Sequence, residues 1–338
     1  MFIKREIPLR IILFFSWKAI IGFFVLSAAV YVAYTHLNIK TIAIPFEPIA
    51  AIGIAVAFYA GFKNNSSYER LWEARKLWGK ITNESRSIAM QTLALFSGCA
   101  DSSKEMEATK KELIYRQIAW VNMVRLQLRR NIVWEAEPLN KLPHIEIVRL
   151  HRQEEEYEQQ VQLCLLQFTS KSEYEQVRSK NNIASELLSI QTRRIFELKA
   201  EKMLDIEEAS EFHKHIDNCV DAQGGCERIK SFPFPRQYAY FSVVFIVIFC
   251  SLLPFGIIHN IEKMNPTMTW LTIPVSVLVS WVFYTMEKIG DSSEDPFENG
   301  LNDIPMSAIC RNIEIDLREL RGETELPPRL EAHANILL

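Results

Sequence analysis

The sequence predicts an all-α membrane protein, with four transmembrane helices and a cytoplasmic helical bundle. Three observations predict it. Charge is partitioned: Ala19–Ile39 carries no Asp, Glu, Lys or Arg, Thr41–Phe62 carries only Glu47, and Gln237–Asn260 and Met264–Met286 carry none. Lys4, Arg5, Arg10, Lys63, Arg70, Arg75, Lys76 and Lys80 flank these runs on one side. The block 63–236 is dense in Lys, Arg and Glu with apolar residues at helical spacing, and period-2 alternation is scarce. Averaged over 338 residues, 49% hydrophobic and 23% charged look like a soluble enzyme. The partition excludes a single soluble core, a disordered chain and a disulfide-stapled secreted module.

The first apolar segment runs from Ile11 or Trp17 to Tyr34, the second from Ile42 to Phe62. The third covers Tyr238–Ile258 and the fourth Met268–Met286. A helix needs about 20 mostly apolar residues to cross about 30 Å of hydrocarbon, and each segment suffices. A cleavable signal peptide would need a small-residue site after the first segment, but Ser27-Ala28-Ala29 lies inside it. Four crossings place both termini on one side, and the short links Thr35–Thr41 and His259–Asn265 on the other. The bias of Lys and Arg toward cytoplasmic flanks then makes both termini and the 63–236 block cytoplasmic. The expected organisation is 1–62 for the N-terminus and two spans, 63–236 for a cytoplasmic helical domain, 237–289 for two further spans and 290–338 for a cytoplasmic tail.

Within the cytoplasmic block, helices are predicted over 71–97, 104–130, 145–169 and 183–203. Breaks are expected at Gly98–Ser103, Glu137–Pro143, Thr169–Ser172 and the paired glycines Gly224-Gly225. The cysteines at 99, 164, 219, 226, 250 and 310 form no CxxC and read as reduced thiols. His213 and His215 would point to opposite sides of a helix, and no HExxH spacing occurs, so no metal site is expected. There is no P-loop, GxGxxG or GxSxG, so no catalytic residues, enzyme activity or cofactor are expected. No basic stripe with interleaved aromatics points to nucleic acid.

The second segment is unusual for a lipid-facing helix. It opens Ile44-Pro45-Phe46-Glu47-Pro48, and an acid at membrane depth usually faces a cavity or a partner. Pro48 can open a helix, because its missing N–H falls where no bond is made. Ile54, Phe58 and Phe62 share one stripe, with Glu47 and Ala51 roughly on the same side. Ala50, Gly53, Ala57, Ala60 and Gly61 lie elsewhere and allow close helix approach. Lys63, Asn64, Asn65 and Ser66 follow directly. An outer acid, an apolar constriction and a polar mouth fit a helix lining an aqueous path.

The run Phe62-Lys63-Asn64-Asn65-Ser66-Ser67-Tyr68-Glu69-Arg70-Leu71-Trp72-Glu73-Ala74-Arg75-Lys76-Leu77-Trp78-Gly79 resembles the bestrophin signature after the second crossing. Gly225-Cys226-Glu227-Arg228-Ile229 with Pro233 and Pro235 is similar to the family's lead into the third crossing. Glu294-Asp295-Pro296-Phe297, Asn302-Asp303-Ile304-Pro305 and Ile313-Glu314-Ile315-Asp316-Leu317 resemble the tail of its bacterial branch. The resemblance covers nearly the whole chain to about Leu320, with only helical character and length matching over 99–220.

The resemblance implies a homopentameric ion channel around one central pore in a bacterial inner membrane. The helix 49–62 would line an apolar neck whose residues, set by the Phe62-Lys63-Asn64 landmark, are Ile54, Phe58 and Phe62. Glu47 would mark the outer mouth, and Lys63, Asn64, Asn65 and Ser66 a polar mouth below the neck. Family members narrow again at the cytoplasmic end, which counting back from Gly225 puts at Leu204–Glu208. The candidates there are Leu204, Glu207 and Glu208, where the family usually has an apolar residue. Animal bestrophins bind calcium after the fourth crossing, but the consecutive acids are missing from Pro296–Asp303, so no calcium site is expected.

The partners implied are further copies of the chain, small monovalent ions and the lipid bilayer. The family default is chloride, while rings of Glu47 and of Glu207 or Glu208 would favour sodium or potassium. A non-conducting membrane scaffold or receptor is the alternative from another class, and Glu47 with the Asn64–Ser67 run argues against it.

Overall fold

The computed structural model describes residues 1–2, 4, 6, 9–95, 104–130, 144–300, 302–332 and 335–337. Helices carry nearly all of them: α1 (Leu9–Thr35), α2 (Phe46–Leu95), α3 (Lys104–Arg129), α4 (His144–Phe168), α5 (Lys171–Val177), α6 (Ile183–Ala200), α7 (Ile206–Ser231), α8 (Arg236–Met264), α9 (Thr272–Asp291) and α10 (Met306–Leu320). Among the described residues, the one β interaction is an isolated antiparallel bridge between Phe2 and Ile336. The all-α expectation therefore holds.

The chain divides into two compact units. One comprises Ile3–Leu71 and Pro233–Asp295, the other Met1–Phe2, Trp72–Phe232 and Pro296–Leu338. These packing boundaries differ from the hydropathy boundaries at 62/63, 236/237 and 289/290. In the first unit α1 packs on α9 and α8, and α8 on α9. Its core joins Ile49, Val56 and Ala60 of α2 to Ile246, Phe249, Cys250, Leu253 and Ile257 of α8. Gly53 permits this approach, since a Cβ there would lie 2.7 Å from the Phe249 ring. Four helical stretches are long and apolar enough to cross a membrane, within Phe14–Thr35, Lys40–Ala94, Arg236–Met264 and Pro266–Asp291. The third span is longer than expected, because α8 passes Pro254 and ends only at Met264, with Asn265 extended after it. There the Asn265 side chain accepts the Thr267 N–H (3.0 Å) and opens a 3₁₀ turn, Pro266–Leu271.

In the second unit α3 packs against α4, α6, α7 and α10, and α6 against α7. Arg116 is buried at the centre of α3 and donates to Glu173 (2.5 Å), Gln191 (2.8 Å) and Glu112. Buried charge of this kind needs such partners. The ends of α5 and α7 are fixed by capping boxes, Ser170 with Glu173 and Asp205 with Glu208. The break expected at the paired glycines does not occur; α7 runs straight through Gly224 and Gly225. Gly225 instead lets Leu77 pack close, since a Cβ would sit 2.8 Å from its Cδ2. The breaks expected at Gly98–Ser103 and Glu137–Pro143 lie outside the described residues. Cys164, Cys219, Cys226, Cys250 and Cys310 are free and buried. Burial pushes the thiols of Cys164, Cys219 and Cys226 up to about 12.

Candidate functional site

The site is built on α2, a single helix of 50 residues. Its buried side chains recur in steps of four and three: Ile49, Gly53, Val56, Ala60, Lys63, Ser67, then Ala74, Trp78, Ile81, Ser85, Ile88 and Thr92. That is the 3.5-residue spacing of a seam on which neighbours pack. Turned away from the seam, Ile54 is 74% exposed, Phe58 67% and Phe62 58%. Phe58 and Phe62 meet edge to face, with ring centroids 4.6 Å apart. Three large apolar side chains thus stand uncovered on one stripe, with exposed Glu47 one end and exposed Asn65 and Ser66 at the other. The Asn65 amide donates to Glu69 (2.8 Å).

Glu47 borders a polar cleft of about 530 Å³ that is also lined by Tyr34, Lys40, His259, Asn260, Glu262 and Lys263. Inside it Lys40 pairs with Glu262 (2.5 Å), Tyr34 donates to the same carboxylate, and the Lys40 ammonium lies 3.9 Å from the Tyr34 ring centroid.

Lys63 does not join the polar mouth. It is 2% exposed and points into its own unit, where Nζ donates to Glu287 (2.5 Å) and Asp291 (2.5 Å). The other Glu287 oxygen accepts from Ser242 (2.5 Å), and Asp291 also accepts from Lys288 (3.0 Å). The physical reason is register: Lys63 falls in the seam between Ala60 and Ser67, and an ammonium there requires carboxylates. Asn64 is half-buried against Gly290, where any Cβ would collide with its side-chain oxygen. Glu287 and Asp291 were missed in the sequence, although they are one helical turn apart at the charged end of the fourth apolar run.

At the other candidate site the structure separates the residues. Leu204 is 4% exposed and buried within the chain. The Glu208 carboxylate turns back to accept the Asp205 N–H (2.9 Å), completing the cap of α7. Glu207 is exposed, and so is its neighbour Ile206, at 58%. Sequence reasoning passed over Ile206; the signal was an apolar residue directly after a capping Asp, at the first helical position.

After α9, Glu294 is buried, and this pushes its carboxyl above the usual range, with Asp295 adding to the shift. Asp303 is raised by burial too, although it accepts the Gly300 N–H (2.8 Å). Glu298 pairs with Lys230. Among the described residues no three His, Cys, Asp or Glu gather where they could hold a metal ion.

The family described as bacterial/fungal bestrophin protein matches residues 10–319. The voltage-dependent anion channel-forming protein YneE of Escherichia coli K12 is 29% identical over 297 residues, covering 88% of this chain and 83% of that protein. The voltage-dependent anion channel-forming protein RSc3414 of Ralstonia nicotianae is 28% identical over 314 residues, covering 93% and 90%. A crystal structure of a bacterial bestrophin homolog from Klebsiella pneumoniae superposes with a TM-score of 0.72 at 22% identity, covering 91% of this chain and 98% of that one.

Proposed function

The chain belongs to the bacterial/fungal bestrophin family, and from that premise we propose that it is a homopentameric channel for small monovalent ions, with anions, chloride first among them, as the permeant species. The observation that carries the reading is the uncovered stripe Ile54, Phe58 and Phe62 on a helix whose opposite face is buried. Five such stripes around one axis make an apolar neck, which can gate by dewetting. The related proteins named anion channel-forming support the choice of ion. Both termini and the Trp72–Phe232 unit are assigned to the cytoplasm by the excess of Lys and Arg on that flank. At the cytoplasmic aperture the exposed Ile206 and Glu207 replace Leu204 and Glu208 as the residues presented to the axis.

A sodium or potassium channel is the second reading. Exposed Glu47, exposed Glu207 and the neutralisation of Lys63 favour it. One experiment tests both. Purified protein is reconstituted into planar bilayers, its mass first measured against five subunits of 39.2 kDa each. Current is then recorded in asymmetric potassium chloride. A reversal potential near the chloride equilibrium potential supports the first reading and one near that of potassium the second. A monomer or a silent bilayer overturns both.

A further inference from the structure

We propose that Glu287 and Asp291 are specificity-determining residues, which set ion preference by holding the Lys63 ammonium off the permeation path. The inference rests on the channel reading above. Lys63 follows Phe62, the inner end of the uncovered stripe, by one residue. An ammonium at that level, free to move, would stand in five copies at the inner end of the neck. Instead its side chain is 1% exposed and its Nζ lies 2.5 Å from both Glu287 and Asp291.

The clamp is built around the carboxylates. Ser242 on α8 donates to the second Glu287 oxygen, fixing its orientation, and Lys288 draws on Asp291 from α9. Lys63 and Lys288 balance Glu287 and Asp291, so the four charges cancel and the cluster adds no net field to the neck. Stability does not explain it. Taking an ion pair out of water costs about as much as the pair returns, and apolar residues of the same shape often serve as well. What the arrangement does supply is a fixed direction for one charge. If its carboxylates are removed, the four-carbon stem can carry the ammonium toward exposed Asn65 and Ser66, where water is available. Five ammonium groups at that level would attract anions and repel cations.

The test compares reversal potentials in asymmetric potassium chloride for the wild type, Glu287→Gln, Asp291→Asn and Glu287→Gln with Asp291→Asn. Assembly is checked by mass before each recording. The expected result is a shift toward the chloride equilibrium potential, largest in the double variant. Adding Lys63→Met to either single variant, which then lacks one charge of each sign and keeps the cluster neutral, should return the value to that of the wild type. Should Glu287→Gln fail to assemble, Asp291→Asn alone decides, because Asp291 is partly exposed and its loss leaves Glu287 in place; a smaller shift in the same direction is then expected. An unchanged reversal potential in every assembled variant overturns the inference and leaves the channel reading standing. So does a shift that persists with Lys63→Met, since the charge would then come from elsewhere. A wild-type protein that passes no current overturns the channel reading, and this inference with it.

Discussion

Between Phe62 and Lys63 the helix turns by about 100°, and that turn separates an uncovered ring from a buried ammonium. Rings of Ile54, Phe58 and Phe62 would strip water from an ion without choosing its sign, because they carry no charge. Replacing all three by Ala should therefore raise single-channel current several-fold with little change in reversal potential. Planar-bilayer recording checks this, and unchanged current would mean that the stripe packs against protein. This stripe was legible in the sequence because Ile54, Phe58 and Phe62 follow one another in four-residue steps, and Ile54 lies seven residues, about two turns, after Glu47. Lys63 was not. It stands beside Asn64 and Asn65 in the chain and reads as one polar run, whereas its environment is decided by a second set of steps, Val56, Ala60, Lys63 and Ser67. Its partners lie more than 220 residues away, and no local pattern joins them.

At the scale of the element, α7 shows how its ends and its middle are determined by different physics. Its start is local: Asp205 accepts the Glu208 N–H (2.7 Å), and Glu208 accepts in return. Asp205→Ala should cost about 1 kcal/mol, and Asp205→Asn much less, as read by thermal unfolding of the detergent-solubilised protein. Because Ile206 and Glu207 follow directly, the Ala variant should also loosen the aperture and change rectification, whereas an exposed Ser210→Ala change should not. The middle is tertiary. Two adjacent glycines read as a break by propensity, since each costs about 1 kcal/mol relative to Ala in a helix. Leu77 packs into the space that Gly225 leaves, a tertiary contact that propensity does not see. The four apolar spans were legible because length and lack of charge suffice to mark them. Their ends were displaced by several residues, because hydropathy does not see a cap such as Asn265.

Over the whole molecule, the buried acids give stability a definite dependence on pH. The Glu294 carboxyl titrates above its ordinary 4.5 in the folded protein. The stability it contributes is thus fully present below that value and lost as pH rises through the folded one. Glu294→Gln should raise the Tm at pH 7 and close the gap below about pH 4.5. Glu323 works in the opposite sense. Against the cost of its burial, hydrogen bonds from Arg318 and Tyr115 hold it low, so its contribution is present above its ordinary 4.5 and fades as acid is added. Scanning calorimetry from pH 4 to 8 on the two variants Glu294→Gln and Glu323→Gln separates them by sign. The α2 seam, finally, makes the helix behave as a screw with a single thread. Within the unit that holds Ile3–Leu71, its buried positions from Ile49 to Ser67 follow one such thread. One extra residue inserted after Gly61 advances everything beyond it by about 100° and turns Lys63 and Ser67 out of the seam, while seven extra residues leave the phase within about 20°. The single insertion should abolish assembly, and the seven-residue insertion should restore much of it.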